Sequence, residues 1–205
     1  MPDIRKVAIM AGAAFAAATL AGCTSSNGGL PGAATTTAGS GSTTPLLNDN
    51  SSVTFAPRPK DISLAGVDPC TLLTASQRGQ FGLDDGLKHS PDQQFHGPTC
   101  DYPGLNQDGN DIDINTVPTQ GIEYWLDPTL ADNIKQVTVG GFPGLDITLK
   151  GTDPTNQCTT AVSMSQGQMV LVLFAPLLQS GTVAQNCAKA EQVAAAALTT
   201  LQTMK

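Results

Sequence analysis

A chain of 205 residues with a formal net charge of −7 and only 4% aromatic residues is acidic and poor in stacking side chains. The sign of the charge argues against a basic surface for phosphate backbones or anionic headgroups, and the scarcity of aromatics removes the platforms on which single-stranded nucleic acid stacks, so no nucleic-acid partner is expected. The length allows one domain of ordinary size once leader and linker sequence is set aside.

At the amino end Arg5 and Lys6 precede an apolar run from Val7 to Leu20. That run has the length of a secretory signal core and is shorter than the roughly 20 residues a membrane-spanning helix needs. It ends in Leu20-Ala21-Gly22-Cys23, which resembles the lipobox of bacterial lipoproteins: an apolar residue, two small residues that fit a signal-peptidase cleft, then a cysteine. The resemblance implies that residues 1–22 are removed and that Cys23 takes a diacylglyceryl thioether with palmitate-type chains, becoming the first residue of the mature protein. The membrane is then a partner through the lipid anchor, and the protein sits extracytoplasmically on the outer face of the cell membrane. Losing a leader that holds Arg5, Lys6 and Asp3 takes the formal charge from −7 to −8.

Residues 23–60 are rich in Thr, Ser, Gly, Ala and Pro, with the run Thr35-Thr36-Thr37 and the stretch Gly39-Ser40-Gly41-Ser42. Too few apolar side chains are present to offset chain entropy, so a flexible tether with a reach on the order of 35 Å is expected. Residues 61–205 then form a single domain, and about 145 residues suffice to bury roughly two-thirds of the unfolded surface.

Within that domain Asp68-Pro69 offers a cap and a first helical residue, and Thr74-Ala75-Ser76-Gln77 matches a capping box, with Gly82 placed to end the helix. A short helical hairpin is predicted there, followed by a polar loop from Asp84 to Gly97. Pro98 to Tyr102 is extended, and Asp111-Ile112-Asp113-Ile114-Asn115 alternates with period two, the mark of a strand with one dry face. Ile134 to Val139 and Leu145 to Leu149 are further strands, divided by a turn across Gly140-Gly141-Phe142-Pro143-Gly144. Cys158 to Met164 and Met169 to Ala175 form a hairpin whose second strand, apolar on both faces, belongs at the centre of the sheet. Thr182 caps a final helix with a stripe of Val183, Cys187, Ala190, Ala194, Leu198 and Leu201. The predicted fold class is α+β: an antiparallel sheet with N-terminal and C-terminal helices packed on one face, braced by two disulfides.

With Cys23 assigned to the anchor, Cys70, Cys100, Cys158 and Cys187 remain. An even number in an exported chain reads as disulfides, whereas zinc ligands come in close pairs and these gaps are 30, 58 and 29 residues. No metal and no other cofactor is expected.

Asp68-Pro69-Cys70-Thr71-Leu72-Leu73-Thr74, Cys100 with an aromatic two positions on, Val139-Gly140-Gly141-Phe142-Pro143-Gly144, Cys158 before a strand and Cys187 entering the last helix together resemble a family of actinobacterial lipoproteins, domain of unknown function three-five-five-eight. The likeness runs from Val67 to Leu201 and departs at Tyr102, where the family carries tryptophan. It implies a mycobacterial-type envelope setting and a lipid anchor, and supplies no catalytic residues. Of the three pairings four cysteines allow, the local one is expected, Cys70 with Cys100 and Cys158 with Cys187.

Several residue groups invite a chemical role. His89 and His96 share a loop with Asp84, Asp85 and Asp92, but no G-x-S-x-G or H-E-x-x-H completes a mechanism, and exposed loop histidines are expected. Asp108, Asn110, Asp111, Asp113 and Asn115 suggest a calcium loop, but the central glycine and distal glutamate it needs are misplaced and Ile112 and Ile114 impose strand alternation, so a solvated strand face is expected. From Asp84 to Asp132 ten carboxylates face one base, Lys88, a bias suited to solubility or to a cationic partner. Tyr124-Trp125-Leu126 is expected to anchor the core. The chain is therefore read as a non-enzymatic, lipid-anchored envelope protein that binds a partner protein or envelope component. The alternative is a carrier holding a lipid or small apolar ligand between helices and sheet, with Ala194, Ala195, Ala196 and Ala197 opening the space.

Overall fold

A computed structural model of the chain describes residues 53–105, 110–151, 156–176 and 180–205. The signal segment, Cys23, most of the expected tether and Asp108 lie outside the described residues. Seven strands make one sheet: β1 (Leu87–His89), β2 (Thr99–Tyr102), β3 (Asn110–Val117), β4 (Ala131–Val139), β5 (Phe142–Leu149), β6 (Cys158–Ser165) and β7 (Gln168–Pro176). Their spatial order is β1-β2-β3-β7-β6-β5-β4, and every neighbouring pair is antiparallel. The doubly apolar strand β7 stands fourth of seven, as its composition requires, with Val170 and Val172 buried toward one face and Met169 and Leu171 toward the other.

Two helices accompany the sheet, α1 (Ala75–Phe81) and α2 (Val183–Met204). Both capping boxes form: Thr74 Oγ1 accepts from Gln77 N and Gln77 Oε1 from Thr74 N, and Thr182 and Gln185 repeat the exchange. Gly82 ends α1 at φ 67°, the left-handed conformation that a glycine adopts without strain. The expected N-terminal helical hairpin proves smaller than predicted. Asp68 caps only a 3-10 turn, Pro69–Thr71, and α1 has seven residues, none fully buried. It is held instead by Gln77, whose Nε2 donates to Ala196 O at 2.9 Å while Oε1 accepts from Thr200 Oγ1 at 3.0 Å.

α2 buries Ala190, Val193, Ala194, Ala197, Leu198 and Leu201 against Ile112, Ile114, Val162, Val170, Val172 and Phe174 of the sheet, and Leu72, Leu73 and Tyr102 join the same core. The alanines thus serve close approach, since Ala194 and Ala197 are at most 1% exposed. Val183, expected on the buried stripe, is 36% exposed, because it sits on the first turn of α2 beyond this packed region.

The second face is covered by chain rather than helix. To pass from β3 to the far edge strand β4, residues 118–130 must cross β7, β6 and β5. The crossing carries a 3-10 helix, Ile122–Leu126, and buries Ile122 and Trp125 on Val117, Leu145, Ile147, Ala161, Met169 and Leu171. Trp125 is 4% exposed, the core anchor its sequence setting predicts, in edge-on contact with Phe95 and Tyr124 at 5.7 and 5.2 Å between ring centres.

Three further differences have local causes. Leu87–His89, read as loop, pairs with β2 as a short edge strand. The turn between β4 and β5 needs only Gly140 and Gly141, at φ 57° and 85°, so Phe142, Pro143 and Gly144 belong to β5. The packed chain also begins before residue 61: Phe55 rests against the second core, and Arg58 Nη1 donates to Ser163 Oγ at 3.0 Å. Among the described residues no helix is long and apolar enough to cross a membrane.

Candidate binding cleft

Cross-strand register assembles the principal site. Lys135 on β4 stands opposite Asp146 on β5, and Asp146 stands opposite Thr160 on β6. These three lie on the face that α2 covers, and the disulfide Cys158–Cys187, with Cα atoms 5.0 Å apart, ties β6 to the second turn of α2 directly above them. Asp146 is consequently buried, its side chain 3% exposed. Its Oδ1 accepts from Thr160 Oγ1 at 2.9 Å. Its Oδ2 has no fixed donor; Lys135 Nζ stands 3.6 Å away and is shared with Glu191 Oε1 at 3.9 Å, and the Glu191 carboxyl is placed to share a proton with Asp146. Burial, with the neighbouring Glu191 carboxylate, pushes the Asp146 carboxyl up to about 7 despite Thr160 and Lys135.

Beside Asp146 opens a cleft of about 540 Å³, bounded by Asp132, Asn133 and Lys135 of β4, Asp146 and Thr148 of β5, and Val183, Ala184 and Cys187 of α2. That volume lies within the roughly 300–1,000 Å³ of small-molecule sites, and such sites combine apolar walls with a few polar groups. A carboxyl oxygen of Asp146 and the sulfurs of Cys158 and Cys187 lie within 4.8 Å of one another. Two of those three atoms are bonded to each other, so the oxidised protein offers no metal site there.

A second polar hollow, about 470 Å³, lies on the opposite face beyond the cover of residues 118–130. His89 Nε2 approaches Asp101 Oδ2 at 3.4 Å, and Asp113 pairs across the strands with Asp101. Burial, then the charge of Asp101, pushes Asp113 up to about 6, against the pull of His89, and burial also raises Asp111. Here the predicted site residues divide. His89, Asp111, Asp113 and Asn115 come to one strand face, as the alternation requires, whereas His96 is exposed in its loop at φ 52°. Both cysteine pairs are the local ones, Cys70–Cys100 and Cys158–Cys187.

Asp146 was not singled out by sequence. In Gly144-Leu145-Asp146-Ile147-Thr148 it occupies an alternate strand position that reads as solvent-facing. Only the helix above it reverses that reading. The one available signal was the chance of a cross-strand Lys–Asp pair, which requires the register.

The fold and cleft define a disulfide-braced α+β domain, an antiparallel sheet clasped by a C-terminal helix on one face and a crossing segment on the other. The chain belongs to the family described as Protein of unknown function (DUF3558), whose model it matches over residues 18–200. No curated protein and no solved structure matches it.

Proposed function

We propose that this protein is a lipid-anchored lipoprotein of the actinobacterial cell envelope, exported and tethered through Cys23, whose folded domain is a non-enzymatic binding module. The lipobox-like Leu20-Ala21-Gly22-Cys23 and two formed disulfides, typical of an oxidising compartment, support the location. The binding role rests on one observation: Asp146 is a buried carboxyl, one oxygen of which meets no fixed donor, at a cleft of ligand size. A buried ionisable group lowers stability unless it is fully partnered, and such groups concentrate where ligands are met. A fragment screen by thermal shift tests the reading. Hits are expected to weaken in Asp146→Asn and in Ala184→Leu, which narrows the cleft. Hits indifferent to both changes, or turnover of an ester or amide substrate abolished by His89→Ala or His96→Ala, would overturn it.

The apolar side of the same cleft, Val183, Ala184 and the disulfide, favours a second reading, a carrier of a lipid or small apolar ligand between α2 and the sheet. Native mass spectrometry of the extracted protein separates the two, because a carrier retains lipid through purification.

A further inference from the structure

We infer that the cleft under the first turns of α2 takes a primary ammonium group carried on a short apolar body, the ammonium donating to Asp146 Oδ2. The inference rests on the cleft being the binding site and names the chemical class it accepts. Charge decides the sign. Asp146 and Glu191 share one cation, Lys135, whose Nζ is 3.6 and 3.9 Å from their oxygens, beyond good hydrogen-bonding distance from either; of the acids, Asp146 and Asp132 line the cleft, while Glu191 stands outside its lining. Two acids against one base line the cleft, and Glu191 draws on that same base from outside it, which leaves the site short of positive charge. Lys135 cannot supply the deficit alone, being 42% exposed and divided between two partners.

Geometry decides the donor. Thr160 already occupies Asp146 Oδ1, so the acceptor open to a ligand is Oδ2, and a compact ammonium with three N–H donors can fill it in place of a proton shared with Glu191, leaving Lys135 to Glu191. The positive end of α2 works against a cation, but that field is confined to the first turn, whereas Cys187, above Asp146, stands on the second. Val183, Ala184 and Cys187 offer an apolar wall, and the remaining lining, Asn133 and Thr148, is uncharged, which suits an alkyl body rather than a second charged end.

The purified full chain is titrated with hexylamine, hexanol and hexanoate by calorimetry, alongside amide chemical shifts of residues 183–187. Hexylamine is expected to bind and shift those amides, at least about tenfold more tightly than hexanol or hexanoate, since a charged donor outperforms a neutral one at an ionised acceptor. Binding should fall about tenfold from about pH 8 to about pH 5.5 as Asp146 takes up a proton, the amine staying charged throughout. Asp146→Asn should abolish the preference for amine, and Ala184→Leu, at an exposed helical position that leaves Asp146 untouched, should weaken amine binding. Hexanol or hexanoate binding as well as hexylamine, with the same shifts, would refute the ammonium class while sparing the cleft. Absence of shifts at 183–187 with all three probes would refute both.

Discussion

Asp146 and Asp113 give the stability of this domain a definite dependence on pH. Both carboxyls are raised above the ordinary value of 3.8, to about 7 and about 6, chiefly by burial. As pH rises past 4 the unfolded chain ionises first and the folded chain resists, so the folded state holds more protons and stability falls. The contribution of Asp113 is lost by about pH 6 and that of Asp146 by about pH 7, whereas near pH 4 both are intact. Asn at 146 keeps an acceptor for Thr160 and removes the buried charge. Asp146→Asn should therefore raise unfolding free energy at pH 8 by about 2 kcal/mol, given that each tenfold change in proton affinity is worth about 1.4 kcal/mol. Urea unfolding at pH 5 and pH 8 measures it: the gap between the two conditions should shrink in the variant, and an unchanged gap would show that Asp146 is not the titrating group. At Gly144 the constraint is steric, because an added Cβ would meet Ala161 O at 2.7 Å across the β5–β6 pair. Gly144→Ala should destabilise by about 1–3 kcal/mol, read as a lowered thermal midpoint.

Element by element, local chemistry was legible and long-range consequence was not. The two Thr-x-x-Gln boxes could be read because both partners lie three residues apart and need no tertiary context. Asp111 to Asn115 could be read because side chains alternate along any strand. Leu87–His89 could not, since three exposed residues make no pattern and become a strand only by pairing with β2. Nor could the second role of Gln77, which caps α1 and also bonds Ala196 and Thr200 of α2. Gln77→Ala removes both roles and should cost about 2 kcal/mol, a cap and a part-buried hydrogen-bond pair. Thr182→Ala removes only a cap and should cost about 1 kcal/mol. Chemical denaturation of the two variants tests the ranking, and equal losses would mean that Gln77 does not hold α1 to α2.

Across the whole molecule, the chain order places the segment with the most partners at the middle of the sheet and its two covers on opposite faces. β7 is flanked by β3 and β6, roofed by α2 on one side and by the crossing segment on the other. The strand order follows from a hairpin, β6–β7, inserted between β3 and the β4–β5 hairpin, and this insertion forces residues 118–130 over the second face. Neither face can lose its cover without baring strands that the other face also needs, so both should unfold in one transition. Trp125, the only tryptophan, reports the crossing segment, whereas far-ultraviolet dichroism is dominated by the sheet and the 22-residue α2. The two signals should therefore give the same urea midpoint, and amide exchange should be slowest along β7 at 170–174 and faster toward the edge strands β1 and β4. A fluorescence midpoint well below the dichroism midpoint would mean that the crossing segment is a separable lid and that the second face stands without it.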